Sequence, residues 1–286
     1  MTLSRSDASH QLEVAGLRAK RALGQNFVVD ANTVRKIASL ARVNSGDHVV
    51  EIGAGLGSLT LALAETGAQI TAIEVDDALI PLLEENVHHL SNVSVVHADA
   101  MKVNWNEVLS PENNWSLVAN LPYNVATPLV ADILDFVPHV KKMLVMVQKE
   151  VGERFCATPS TEAYGALSVK VDFYATARIV GIVPPTVFLP RPNVDSALVE
   201  IVRRDAPIDA DINAAQLFAL VKKGFAKRRK MLRGALAGVV APEHFAAAHI
   251  APTARAEELT IQQWIALFRA VHGSSAYGSP EQGPRP

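Results

Sequence analysis

Val50-Glu51-Ile52-Gly53-Ala54-Gly55-Leu56-Gly57 joins a short apolar run to a glycine-rich turn, and a helical pattern follows at Ser58–Glu65. The run His48–Ile52 has the length and apolar content of a strand buried on both faces. A glycine-rich turn from strand to helix lets main chain approach a ligand closely at a helix N-terminus. The spacing is G-x-G-x-G, and Ser58 stands where a dinucleotide fingerprint would place its last glycine. Taken alone, the stretch also fits a tight turn that binds nothing.

Outward from this turn the chain alternates. Further strands are expected at Ile70–Glu74, Val93–His97, Leu117–Asn120 and Met143–Val147, with helices at Asp77–Leu90 and Thr127–Phe136 between them. Upstream, Asn32–Ala41 reads as a helix. Two late strand candidates, Leu167–Ala175 and Ala197–Val202, lack a clear helix between them and suggest an antiparallel hairpin closing a mostly parallel sheet. The proline-rich stretch Val183–Pro192 is expected to be a stiff loop. Near Asp205 the pattern becomes purely helical, at Asn213–Leu236, Pro242–Ala248 and Ile261–Val271. The expected organisation is therefore a disordered tail over 1–16, an α/β domain over 17–205, a small all-α domain over 206–272 and a disordered tail over 273–286.

Composition narrows the function. The 286-residue chain is 49% hydrophobic, enough for a sizeable core. Its first sixteen residues are polar and mixed, no stretch is apolar enough to span a membrane, and a single cysteine, Cys156, fits a reducing compartment, so a cytoplasmic protein is expected. The nine histidines show no metal-ligand spacing. Net charge is only −2, but it is unevenly spread. Between Arg42 and Lys102 there are nine acids and no lysine or arginine. Between Asp211 and Glu243 there is no acid, and there are seven bases: Lys222, Lys223, Lys227, Arg228, Arg229, Lys230 and Arg233. The first region suits a cation, and the second suits phosphates. Lys222 to Arg233 reads as one helix with a broad basic side, and Arg18, Lys20 and Arg21 are expected to extend that surface.

Glu74 ends the second strand 21 residues after Gly53, where an acid can accept from both hydroxyls of a ribose. A cradle with no basic residue disfavours a phosphate-rich ligand and accommodates a sulfonium cofactor. Asp99, in Ala98-Asp99-Ala100, suits an adenine amine and equally suits a turn cap. The fourth strand runs into Asn120-Leu121-Pro122-Tyr123. An exocyclic adenine amine is a poor nucleophile because its lone pair is delocalised into the ring. Acceptors from the Asn120 side chain and the Leu121 carbonyl, aimed at its two N–H bonds, would favour the pyramidal, nucleophilic form. Pro122 biases Leu121 toward extended backbone, and Tyr123 offers a face for stacking the base. Such chemistry depends on positioning and preorganised dipoles.

With these motifs in order, the chain resembles the small-subunit ribosomal RNA adenine dimethyltransferase family of KsgA/RsmA type. The resemblance rests on Leu23-Gly24-Gln25-Asn26-Phe27, the glycine turn, Asn120-Leu121-Pro122-Tyr123-Asn124, Gln148-Lys149-Glu150-Val151, Tyr164-Gly165-Ala166-Leu167-Ser168, Phe188-Leu189-Pro190-Arg191-Pro192-Asn193-Val194-Asp195-Ser196 and Phe225-Ala226-Lys227-Arg228-Arg229-Lys230. It covers roughly Leu17 to Val271. It implies a Rossmann-like class I methyltransferase sheet of seven strands and S-adenosyl-L-methionine as cofactor. The implied reaction is dimethylation of two adjacent adenosines in the 3′-terminal hairpin loop of 16S rRNA, late in small-subunit assembly. It implies cofactor contacts from Asn26, the Val28 main chain, Gly53, Gly55, Glu74, Asp99, Ala100 and Asn120. Phe188 is expected to stack on the target base opposite Tyr123. Val28 stands where the family often has leucine, and Ala54 where proline is common. A monomer is expected. Three rival readings share parts of the pattern: a large-subunit rRNA adenine methylase of the antibiotic-resistance type, a non-catalytic assembly factor on the same scaffold, and a DNA adenine methylase. The leucine of the quartet and the basic segment favour the first-named family.

Overall fold

The computed structural model describes residues 2–227, 230–251 and 253–273. The chain divides into two compact units, one of residues up to Gly152 with Ala177–Arg203, the other of Glu153–Thr176 with the chain from Arg204.

The first unit is built on a seven-stranded sheet. A two-residue strand, β1 (Phe27–Val28), precedes it. The parallel strands follow: β2 (His48–Ile52), β3 (Gln69–Glu74), β4 (Val93–His97), β5 (Trp115–Asn120) and β6 (Val140–Gln148). Three late strands complete the set: β7 (Ala175–Val183), β8 (Phe188–Leu189) and β9 (Ser196–Arg203). Their order is β4-β3-β2-β5-β6-β9-β7, with β9 antiparallel to β6. Chain connectivity moves outward from β2 to β3 and β4, then crosses to β5 and β6 on the other side. This reversal puts the carboxyl ends of β2 and β5 beside each other, where ligands bind in open α/β sheets. The five parallel strands lie where the apolar runs predict them, and β2 and β4 match to the residue.

The helices of this unit are α1 (Arg5–Val14), α2 (Ala31–Ala41), α3 (Ser58–Ala64), α4 (Ile80–Val87), α5 (Trp105–Val108) and α6 (Ala126–Phe136). Helix α1 lies within the segment expected to be a disordered tail, and the structure corrects that. Ser4 caps it, with its hydroxyl accepting from the Asp7 N–H while the Asp7 carboxylate accepts from the Ser4 N–H. Ala8 and Leu12, four apart on one face, are buried with Phe27, Val29, Leu56 and Leu79. The proline-rich loop also acquires regular structure, because β8 pairs antiparallel with β1, Val28 opposite Phe188.

The second unit contains α8 (Ala166–Tyr174), α9 (Ala214–Phe225), α10 (Leu232–Ala235), α11 (Pro242–Ala247) and α12 (Ile261–His272), and α7 (Lys149–Cys156) spans the first boundary between the units. Three expectations change here. The strand expected over Leu167–Ala175 is helix up to Tyr174, with Ala175 opening β7: Val169 and Phe173, four apart, are buried among Leu217, Trp264 and Phe268, so helical spacing overrides the strand bias of valine and phenylalanine. The same packing moves Glu153–Thr176 out of the α/β domain, so the break expected near Asp205 is only one of the boundaries. The basic stretch is not one helix. Helix α9 ends at Phe225, and the chain leaves it to bridge Met231 with Arg255 and to donate the Leu232 N–H to the Ala254 carbonyl. Of the tail expected over 273–286, all but Gly273 lies outside the described residues. Among the described residues no helix is long and apolar enough to cross a membrane.

Candidate active site

The glycine turn closes tightly against the sheet. Gly53 and Ala54 both donate their N–H groups to the Ile73 carbonyl, and Gly55 donates to Glu74 Oε2 at 2.7 Å. Gly55 has φ of 60°, and a Cβ there would sit 3.0 Å from the Phe27 ring. Gly57 has φ of 85°, and its Cβ would fall 2.9 Å from Leu83. Both positions therefore require glycine for conformation and for space. The Glu74 carboxylate is buried, and its other oxygen accepts from the Val75 and Asp76 N–H groups.

A cleft opens over this turn. Its walls come from Leu23–Val28, from the turn Gly53–Leu56, from Glu51, Glu74 and Val75, and from the quartet Asn120–Tyr123. Four segments far apart in sequence thus converge, and they include Asn26, Val28, Gly53, Gly55, Glu74 and the quartet. No lysine or arginine lines the cleft, whereas two acids, Glu51 and Glu74, do. Glu51 is buried and accepts from the Thr60 hydroxyl at 2.6 Å. Burial pushes its carboxyl up to about 8, with the nearby Glu74 adding to the rise and the Thr60 hydrogen bond opposing it. The residues present fit S-adenosylmethionine: glycines cleared for close approach, an acid at the end of β3 for ribose hydroxyls, and no base in the wall to repel a cation.

Asn120 ends β5, and its side-chain Nδ2 donates to the Asn26 carbonyl at 2.8 Å. Of the two ends of a carboxamide only the nitrogen can donate, so this bond sets the side chain's orientation and leaves Oδ1 as an acceptor. The Leu121 N–H is held by the Met146 carbonyl, which fixes the peptide plane that follows the strand. Leu121 itself is buried, Pro122 follows it, and the half-buried Tyr123 has its hydroxyl 3.1 Å from the Ser196 hydroxyl. Ser196 is fully buried at the start of β9.

Other expected site residues lie elsewhere. Phe188 does not face the cleft. It is 1% exposed and packs with Val28, Val34 and Ile37. Residues paired across antiparallel strands project to the same side, so Phe188 follows Val28 into the core. Asp99 and Ala100 do not line the cleft either. The Asp99 carboxylate accepts from the Met101 N–H and pairs with Lys102 at 3.1 Å, which is a turn cap. In the second unit, Lys222 and Lys223 are exposed in the last turn of α9, and Lys227, Lys230 and Arg233 are exposed beyond it, while Leu220, Val221, Leu232 and Leu236 are buried. Arg228 and Arg229 lie outside the described residues. Sequence reasoning assigned no role to Glu51 or Ser196, nor to the Asn26 carbonyl. A buried acid inside a glycine motif was a usable signal for Glu51, and nothing in sequence flags a main-chain carbonyl.

The family model described as ribosomal RNA adenine dimethylase matches residues 16–272. The chain is 43% identical over 272 residues to "Ribosomal RNA small subunit methyltransferase A" of Streptomyces coelicolor, covering 92% of this chain and 94% of the relative. It is 46% identical over 281 residues to the protein of the same name from Cutibacterium acnes, covering 93% of each. Among solved structures, the 23S rRNA methyltransferase ErmE is similar with a TM-score of 0.65 and 25% identity, over 86% of this chain and 99% of that one. A dimethyladenosine transferase from Plasmodium falciparum shares the fold with a TM-score of 0.72 at 23% identity, over 83% and 94%. With a family match over nearly its whole length, the chain belongs to the ribosomal RNA adenine dimethylases.

Proposed function

We infer that this chain dimethylates the N6 amines of two adjacent adenosines in the 3′-terminal hairpin loop of 16S rRNA, within the small ribosomal subunit and late in its assembly. It acts as a cytoplasmic monomer. The observation that carries the reading is the Asn120 carboxamide, held by the Asn26 carbonyl so that Oδ1 is left to accept in a cleft that no lysine or arginine lines. S-adenosylmethionine, when bound, supplies an electrophilic methyl group. The residues of the chain do the rest. Asn120 Oδ1 and the Leu121 carbonyl accept hydrogen bonds from the amine N–H groups that are present and draw the nitrogen lone pair out of conjugation, and each methyl transfer releases one amine proton to solvent. Tyr123, tethered to Ser196, offers its ring to the base. Asn26, the Val28 main chain, Gly53, Gly55 and Glu74 are the proposed cofactor contacts. Lys222, Lys223, Lys227, Arg228, Arg229, Lys230 and Arg233 are the proposed phosphate contacts. Identity of 43% and 46% to two proteins named for the small subunit supports that substrate over the large-subunit alternative.

Unmethylated small subunits, large subunits and labelled cofactor test this reading together. Label is expected on two neighbouring adenosines of 16S rRNA. Asn120→Ala is expected to lower the rate at least a hundredfold, the scale on which loss of one preorganised polar group is felt. Label on 23S rRNA, or equal rates from the two proteins, would overturn it.

A further inference from the structure

Lys20 is one of the basic residues that the sequence assigns to the RNA surface, yet its ammonium is engaged within the protein. Lys20 Nζ lies 2.6 Å from Asp76 Oδ1, and Asp76 is 3% exposed. Gln25 Nε2 donates to the other Asp76 oxygen at 2.7 Å, and Gln25 Oε1 accepts from the Lys20 main-chain N–H at 2.7 Å. One buried carboxylate therefore gathers both ends of the segment Lys20–Gln25. Burial alone would raise the Asp76 carboxyl, but the hydrogen bonds from Lys20 and Gln25 outweigh it and hold the group below its ordinary value. The same contact raises Lys20. Both groups are thus charged across the neutral range.

This segment reaches both halves of the cleft. At one end the Asp76 N–H donates to Glu74 Oε1, the acid assigned to the cofactor ribose. At the other, Asn26 follows Gln25 directly, and its carbonyl holds Asn120 Nδ2. Between them Gly24, with φ of 64°, lies so close to the quartet that a Cβ would come 3.1 Å from the Pro122 side chain and from Asn124 Oδ1.

We propose that Lys20, Gln25 and Asp76 form a clasp that positions Asn120: it fixes the main chain of Gln25–Asn26, and the Asn26 carbonyl then turns the carboxamide so that Oδ1 meets the target amine. All three are positioning residues, acting through a carbonyl that no side-chain substitution can remove. The clasp ties the cofactor acid to the catalytic amide through a path that side chains of the segment complete. The proposal rests on the reading of Asn120 as the acceptor for the amine.

The test compares Lys20→Met, Lys20→Arg, Gln25→Leu, Asp76→Asn and the double variant Lys20→Met/Asp76→Asn with the parent chain. Single-turnover methylation of unmethylated small subunits is measured at saturating cofactor and subunit, together with subunit affinity over a range of salt. Lys20→Met, Gln25→Leu and Asp76→Asn are each expected to lower the saturated rate by about tenfold to a hundredfold, the scale for a mispositioned group. The double variant is expected to be no slower than its slower parent. Lys20→Arg is expected to keep most of the rate, and subunit affinity and its salt slope are expected to hold. A Lys20→Met protein with normal saturated rate but weaker subunit binding and a shallower salt slope would make Lys20 a phosphate contact instead. Asp76→Asn would then tighten subunit binding by releasing Lys20, the opposite of the clasp. If Asp76→Asn fails to fold, Lys20→Met and Gln25→Leu decide the matter. No methylation by the parent chain would overturn the reading of Asn120 and not the clasp alone.

Discussion

Glu51 sits in the first glycine motif as a buried carboxylate, hydrogen-bonded by Thr60 and repelled by Glu74. Its ordinary value of 4.5 rises to about 8 in the folded chain. Between those values the folded protein keeps a proton that the unfolded chain releases. The stability it contributes is therefore fully present below 4.5 and is lost as pH rises through 8. Glu51→Gln, which cannot titrate, is expected to be the less pH-dependent protein across this window, with the gap in urea midpoint between it and the parent shifting in its favour as pH rises. Parallel midpoint profiles for the two proteins would remove this account. The same residue shows what the sequence carries at this scale and what it does not. Gly53, Gly55, Glu74 and the quartet are legible because their chemistry is written in consecutive residues at strand ends. The side to which Phe188 turns is not legible, because a two-residue strand has two faces and only its pairing with Val28 shows which one is buried. The orientation of Asn120 depends on the carbonyl of Asn26, 94 positions away, and every residue has a carbonyl.

Helix α1 shows the same limit one level up. Its apolar content is low, so composition reads as a tail, and its order comes from partners distant in sequence. The Arg5 guanidinium donates to the carbonyls of Thr186 at 2.7 Å and Phe188 at 3.1 Å. Gln11 and Asn86 exchange side-chain hydrogen bonds, and Asn86 also donates to the Leu56 carbonyl at the end of the glycine turn. The parallel strands needed no such help, because an apolar run of five residues in a β/α alternation has few other uses. Helix α8 was lost to local preference, since Val169, Val171 and Phe173 favour strands until the helical cluster around them is known. Leu12→Ala is expected to destabilise the protein by about 2–5 kcal/mol, the range for a truncated buried leucine. Because Leu12 belongs to the cluster of Phe27 and Leu56, which line the cleft, affinity for S-adenosylhomocysteine should fall as well. Calorimetric titration at a temperature where the variant is fully folded separates the two effects. Unchanged affinity there would confine α1 to stabilising the fold.

At the scale of the whole chain, charge is divided between the two units. The cleft is lined by two acids and no base, whereas the run from Asp211 to Glu243 holds seven bases and no internal acid. A sulfonium cofactor and an RNA backbone favour opposite fields, and the acids of the cleft and the basic run belong to different compact units. In the second unit Lys222, Lys223 and Lys230 are exposed while Leu220, Val221 and Leu232 are buried, so charge can be reversed at these three lysines without touching the core. Replacing those three lysines by glutamate is expected to leave the folded state and S-adenosylhomocysteine binding intact. Small-subunit binding should weaken steeply, because three phosphate contacts become three repulsions. If each lysine meets one phosphate, plotting the logarithm of affinity against that of salt should show the slope shrinking by roughly 2–3, following about 0.7–0.9 per released counterion. Methylation at low salt and high subunit concentration should recover, since the catalytic quartet is untouched. Unaltered subunit affinity at moderate salt would show that the basic run is only a solvated face, and the RNA-binding role would have to pass to other residues of the chain.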